Sequence, residues 1–177
     1  MKHIFKDTNL IKPAVFGATD GIITTFAVVA SVAGANLSPS IVLIMGIANM
    51  LGDGVSMGLG DYLGERSERL VVSKGECEDA CKGVWKTGVV TFTAFVIAGV
   101  FPLLPYFLEA FGVPIAHESQ FMYSIISTMI TLFVVGSLRT IIVPIAWWKN
   151  GLEMLLVGSA AASVAYLFGY LVDAWVL

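Results

Sequence analysis

The chain has 177 residues, of which 57% are hydrophobic and only 13% carry a charged side chain. Soluble domains carry about 25% charged residues, and the mean hydropathy of +0.86 is too high for a surface that faces water. With a net charge of −3, these values exclude a soluble enzyme, a disordered chain and a nucleic-acid-binding protein. They predict an integral membrane protein with a single domain over residues 1–177.

Five stretches are long and apolar enough to cross a bilayer as helices, for which about 20 residues suffice. They cover residues 14–34, 41–63, 84–108, 121–147 and 152–172. The short alternating segments of a membrane β-barrel are missing, so we expect an all-α fold with five transmembrane helices. The predicted breaks are Ser38 as the N-cap of the second helix, the group Pro102, Pro105, Gly112 and Pro114 at the end of the third, and a tight turn at residues 149–151.

The basic residues predict the orientation of these helices. Nine of the ten Lys and Arg residues flank the spans on one side, and Arg139 lies inside the predicted fourth span. Because basic residues are retained on the cytoplasmic side, we expect a cytoplasmic N-terminus and a C-terminus on the opposite side.

Polar groups inside the first two predicted helices indicate an ion path, because ionisable side chains are costly at bilayer depth. The first helix carries Asp20, with Thr24 one turn later. The second carries a set repeating every four residues, namely Asn49, Asp53, Met57 and Asp61, continued by Glu65. Four residues advance a helix by about 400°, so these side chains form one slowly winding stripe, with Met57 at about the depth of Asp20.

The ligand types in this stripe favour particular metals. Carboxylates suit hard or borderline divalent cations, and the Met57 thioether adds a soft ligand. A Mg²⁺ or Ca²⁺ path would gain little from sulfur, and a Zn²⁺ or Cu⁺ path would more often contain His or Cys, which the second span lacks. We therefore expect Fe²⁺ or Mn²⁺ as the transported substrate, with no bound cofactor. Packing alone would explain Met57 more easily than it explains three membrane aspartates.

Glycines spaced four residues apart predict close helix packing in the membrane. Gly17 and Gly21 form one such pair in the first span, and Gly54 and Gly58 form another in the second. We expect the first two spans to form the tightly packed, polar core of the molecule.

Two motifs resemble signatures of the vacuolar iron transporter family. They are FGATDGIITTF at residues 16–26 and DGVSMGLGDYL at residues 53–63. Weaker similarity at residues 101–105, 132–136 and 158–166 extends the resemblance over nearly the whole chain. The resemblance implies five spans, a homodimer, and export of ferrous iron and often manganese from the cytosol in exchange for protons. It places the ion path near the dimer axis, between the first two spans.

The resemblance also assigns roles to individual positions. Asp20 matches the membrane aspartate of the family and Met57 its translocation methionine, whereas Asp61 stands where Glu is usual. Asn49 is neutral where some members are acidic, and Asp53 is acidic where others have a small residue. The partners implied are a second copy of the chain, divalent metal ions, protons and the lipid bilayer.

The loop at residues 64–83 is short where iron-storing members insert a long helical cytoplasmic domain. A solvated linker is its simplest interpretation. Cys77 and Cys81 are too few for a disulfide framework, and a metal site on them would need further ligands. Arg139 is expected either to reach the membrane interface or to pair with a carboxylate such as Asp61 or Glu153.

Two other functions fit parts of the sequence. A non-transporting membrane scaffold or partner subunit is the main alternative, although it leaves the membrane aspartates unexplained. Residues 58–61 also match the G-x-G-D string of intramembrane aspartyl proteases, but the chain has too few spans for that class and lacks its Pro-Ala-Leu motif. Vacuolar, plasma and bacterial inner membranes all fit the predicted topology.

Overall fold

The computed structural model describes residues 4–75, 81–141 and 144–176, and these residues contain helices and no strand. The helices are α1 (Ile4–Gly34), α2 (Pro39–Val72), α3 (Trp85–Ala110), α4 (His117–Leu138) and α5 (Trp147–Val176), with a 3₁₀ turn at Arg139–Ile141. All five long helices are long and apolar enough to cross a membrane. The prediction of an all-α fold with five potential spans is confirmed.

The second helix is longer than the sequence predicts. Ser38 precedes it in an extended conformation with Pro39 as its first residue, as predicted for the N-cap position. The helix continues to Val72, so residues 64–72 of the predicted loop are helical. It therefore carries its polar stripe well past the apolar segment.

Two prolines predicted to end the third helix lie inside it instead, because α3 continues to Ala110. Pro105 has no N–H to donate to the carbonyl of Phe101. That carbonyl accepts a hydrogen bond from Ser127 Oγ of α4 at 2.9 Å. Ser124 Oγ likewise donates to the Pro102 carbonyl at 2.6 Å. Hydroxyl groups of α4 thus donate hydrogen bonds to backbone carbonyl oxygens of α3, which lipid chains cannot do.

The break between the last two helices also differs from the prediction. Helix α4 ends at Leu138, and residues 149–151, predicted as a turn, belong to the first turn of α5. Asn150 is fully buried, and its Nδ2 donates to Thr140 Oγ1 at 3.1 Å. A Cβ on Gly151 would approach the Phe133 ring to 2.6 Å. This glycine therefore serves close packing of α5 on α4 and not a turn.

The glycine pairs bring α1 and α2 onto α3. A Cβ on Gly17 or Gly21 would overlap the backbone oxygens of Thr91 and Phe95 in α3. On α2, a Cβ at Gly58 would lie 2.8 Å from the backbone oxygen of Gly88. Helix α1 packs most extensively on α3 and much less on α2. A groove is left between α1 and α2.

This packing predicts that identical substitutions at two glycines have different effects. Gly21→Ala should lower the free energy of unfolding by about 1–3 kcal/mol, because the added methyl group overpacks a backbone contact. In the single chain, Gly52→Ala should not lower it and should raise it by up to about 1 kcal/mol, because alanine has the higher helix propensity and nothing lies within 4 Å of that position. Reversible denaturation in detergent micelles measures both values. Equal losses would contradict the packing described here.

Candidate functional site

A surface groove of about 490 Å³ lies between α1 and α2. Its lining consists of Lys12, Phe16 and Asp20 from α1, and of Met57, Gly60, Asp61, Gly64, Glu65 and Glu68 from α2. It therefore brings together four of the residues singled out from the sequence, which are Asp20, Met57, Asp61 and Glu65. The groove is predominantly acidic, with one thioether.

The α1 wall of the groove follows the helical repeat. Lys12, Phe16 and Asp20 are spaced four residues apart and therefore lie on one helix face. Asp20 is half-buried, whereas Phe16 remains 57% exposed. Thr24, a predicted secondary site residue, donates its hydroxyl hydrogen to the backbone oxygen of Asp20 at 2.8 Å and is not part of the lining.

The α2 wall holds its carboxylates through hydrogen bonds and an ion pair. Asp61 Oδ2 accepts a hydrogen bond from Thr91 Oγ1 of α3 at 2.7 Å, and Thr91 is fully buried. Glu65 Oε1 pairs with Arg69 Nε one turn later at 2.6 Å. The Thr91 contact fixes the orientation of the Asp61 carboxylate from outside the groove.

Asp53 and Asn49 continue the stripe beyond the groove. Neither residue lines the groove. Asp53 lies one helical turn from Met57, on the side away from Glu65 and Glu68, which form the mouth of the groove. Asn49 Nδ2 donates to Asp53 Oδ2 at 3.1 Å. The stripe therefore leads from the groove toward the middle of the bundle.

The acidic residues do not form a metal cage within one copy of the chain. In the described ranges, no three His, Cys, Asp or Glu side chains are grouped closely enough to hold an ion together. The carboxylates instead follow one another along the α1–α2 groove.

Two predicted secondary residues lie away from the groove. Arg139 sits in the 3₁₀ turn after α4, near the end of the candidate span Ser119–Ile141, and its Nη1 is 3.4 Å from Glu153 Oε2 of α5. Of the two carboxylates predicted as partners, Glu153 is therefore the one that Arg139 contacts. Gly54 and Gly58, predicted as packing residues, contact α3.

The cysteine pair is only partly described. Cys77 lies outside the described residues, whereas Cys81 is disulfide-bonded. The sulfur of Cys81 is therefore not a free thiolate ligand. Cys81 is also not among the residues that line the groove.

Sequence reasoning did not assign Lys12, Phe16 or Glu68 to the groove, nor Thr91 to its support. Lys12 and Phe16 could have been found from their four-residue spacing to Asp20. Thr91 carried no such signal, because a threonine in an apolar helix usually bonds to its own backbone. Its role follows from the packing of α2 on α3.

Several curated proteins are similar to this chain over most of its length. The vacuolar iron transporter of Toxoplasma gondii is 26% identical, with 97% of this chain and 77% of the relative aligned. The vacuolar iron transporter of Plasmodium berghei is also 26% identical, covering 96% and 85%. Vacuolar iron transporter 1 of Eucalyptus grandis is 24% identical, covering 92% and 86%. The first alignment spans 232 positions against 177 residues here, so that relative carries residues that this chain lacks.

A family profile gives the assignment. The profile of the VIT family matches residues 11–80 and 73–170. The two matched segments meet in the connection between α2 and α3, where the sequence resemblance places the missing insertion. Together they include the groove and most of the helical bundle, and the chain therefore belongs to the VIT family.

Proposed function

We propose that this chain is a multi-pass membrane transporter that exports Fe²⁺ or Mn²⁺ from the cytosol in exchange for protons. The observation that carries the proposal is the groove in which Asp20, Met57 and Asp61 meet. Relatives named vacuolar iron transporters support iron as a substrate. A scaffold subunit would have no use for carboxylates held in this way within a membrane bundle.

The orientation proposed for the exporter rests on the basic residues. Every Lys and Arg in the described residues lies near one end of the bundle, at the start of α1, around the α2–α3 connection or at the α4–α5 joint. Arg139 lies inside the candidate span Ser119–Ile141 but only two residues from its end, on the same side as this group. The positive-inside rule then places the mouth of the groove in the cytosol.

Proton exchange follows from the chemistry of carboxylates. Only the ionised form binds a cation strongly, so metal binding and protonation compete at the same oxygens. An ion entering at Glu65 and Glu68 would pass Asp61 and Met57 and reach Asp20. Protons arriving from the far side at Asp53 and Asp20 would neutralise these ligands and release the metal there.

A homodimer would complete the path. Helix α2 has a stripe of small residues beside its carboxylates, one per turn, exposed in the single chain: Ala48, Gly52, Ser56, Gly60 and Gly64. Nothing lies within 4 Å of its three glycines. Small residues permit close helix approach in membranes, so a second copy on this face would bring its own stripe of carboxylates alongside the first.

The first test of this function is Asp20→Asn. The change keeps the shape of the side chain but removes the charge that binds metal, so Mn²⁺ uptake into proteoliposomes should fall to the level of protein-free vesicles. Asp173→Asn, a matched change in α5 outside the groove, should transport normally. Wild-type uptake by Asp20→Asn, with both variants folded, would show that Asp20 is structural.

The second test concerns metal selectivity. Met57→Leu conserves volume, and such exchanges cost less than about 1.5 kcal/mol in packing, so the protein should fold. Loss of the sulfur ligand should lower Mn²⁺ uptake. Excess Mg²⁺ should also inhibit the remaining Mn²⁺ uptake more strongly than it does in wild type. Met129→Leu, a methionine exchange on α4, serves as the control. An unchanged competition curve for Met57→Leu would assign the sulfur to packing alone.

The third test concerns orientation. In a variant without the native cysteines, Lys74→Cys should react only with reagents on the cytoplasmic side. Leu37→Cys, in the α1–α2 connection, should react only from the other side. Labelling of both positions from the same side of intact cells would refute the proposed topology.

A further inference from the structure

One basic side chain lines the otherwise acidic groove. Lys12 shares the lining with four carboxylates, those of Asp20, Asp61, Glu65 and Glu68. It lies two helical turns from Asp20 toward the start of α1, which is about 12 Å along the helix axis. An ammonium group is therefore built into the mouth of the proposed cation path.

Lys12 differs from the other cation near the groove. Arg69 is held on Glu65 at 2.6 Å. Within the part of the chain that the structure describes, Lys12 forms no ion pair, and its side chain is exposed. A lysine ammonium on its flexible four-carbon stem can move among several oxygens. It can therefore follow the negative potential of the groove without being fixed to one carboxylate.

We propose that Lys12 is a tethered counter-cation that sets the affinity of the groove for divalent metal ions. The assignment rests on the proposed transport function and deepens it. When the groove is empty, the ammonium offsets part of the repulsion among the carboxylates. When a metal enters, the like charges repel, which weakens metal binding and speeds release. A divalent ion experiences twice the repulsion that a monovalent ion does.

The size of the effect follows from Coulomb's law. A unit charge and a divalent ion about 8–12 Å apart, in the high effective dielectric of an open groove, interact enough to change an equilibrium constant about three- to tenfold. Removing the charge of Lys12 should therefore tighten metal binding by this factor. A lysine that only anchors α1 at the membrane interface would leave the affinity unchanged.

The test measures Mn²⁺ binding to the purified full-length protein in detergent by isothermal titration calorimetry. Lys12→Gln should bind Mn²⁺ about three- to tenfold more tightly than wild type, and raised ionic strength should reduce the difference. Lys12→Arg keeps the charge and should resemble wild type. Lys86→Gln removes one exposed positive charge from the start of α3, outside the groove lining, and should also resemble wild type.

Transport provides a second measurement. In proteoliposomes, Lys12→Gln should show a lower KM for Mn²⁺ together with a lower maximal rate, because a more tightly bound ion leaves more slowly. Thermal unfolding and gel filtration establish that each variant is folded, and Lys12→Arg restores the charge if the glutamine variant is not.

The outcomes separate this assignment from the function on which it rests. If wild type and Lys86→Gln bind Mn²⁺ and Lys12→Gln binds it equally or more weakly, the role assigned to Lys12 is wrong and the transport proposal stands. If Lys12→Arg binds as tightly as Lys12→Gln, charge is not the cause and the role is again wrong. A wild-type protein that binds no Mn²⁺ would overturn both proposals.

Discussion

The contact of α1 and α2 with α3 through glycines is the constraint on which the rest of the structure depends. Gly58 of α2 and Gly88 of α3 approach so closely that a Cβ on either would meet backbone of the other helix. Gly17 and Gly21 produce the same approach of α1 to α3. Because both helices use their small residues on α3, their remaining faces diverge, and the polar stripe of α2 lines a groove.

The same packing makes the carboxylates tolerable inside a membrane bundle. An unpartnered charge is expensive at this depth, and the chain supplies a local partner at several points. Thr91 reaches Asp61 only because α3 is held against α2, Asn49 donates to Asp53 from the previous turn, and Arg69 neutralises Glu65. A metal ion would meet ligands that are already oriented.

Much of the fold followed from the sequence because the constraints are strong and local. The apolar lengths of the five helices are set by bilayer thickness, and the four-residue spacing of Met57 and Asp61 places them on one face of α2. The prolines of α3 misled the prediction because Ser127 compensates for the missing donor of Pro105, a contact between residues far apart in sequence. Gly151 was misread because glycine serves turns and close packing alike.

The candidate site was predictable to a similar degree. The α2 stripe follows from a four-residue repeat and needs no tertiary information. The partner of Asp61, the choice of Glu153 by Arg139, and the use of the glycine pairs on α3 all depend on how the helices are arranged in three dimensions. Periodicity within one helix does not encode that arrangement.

The most direct test of the central claim is uptake by wild-type protein in proteoliposomes that contain a fluorescent metal indicator. Fe²⁺, Mn²⁺, Mg²⁺ and Ca²⁺ are added outside, with the lumen either acidic or at the external pH. The account predicts uptake of Fe²⁺ or Mn²⁺ above protein-free vesicles, faster into an acidic lumen, and little uptake of Mg²⁺ or Ca²⁺. Uptake that never exceeds that of protein-free vesicles would contradict transport, and uptake unaffected by the pH gradient would contradict proton exchange.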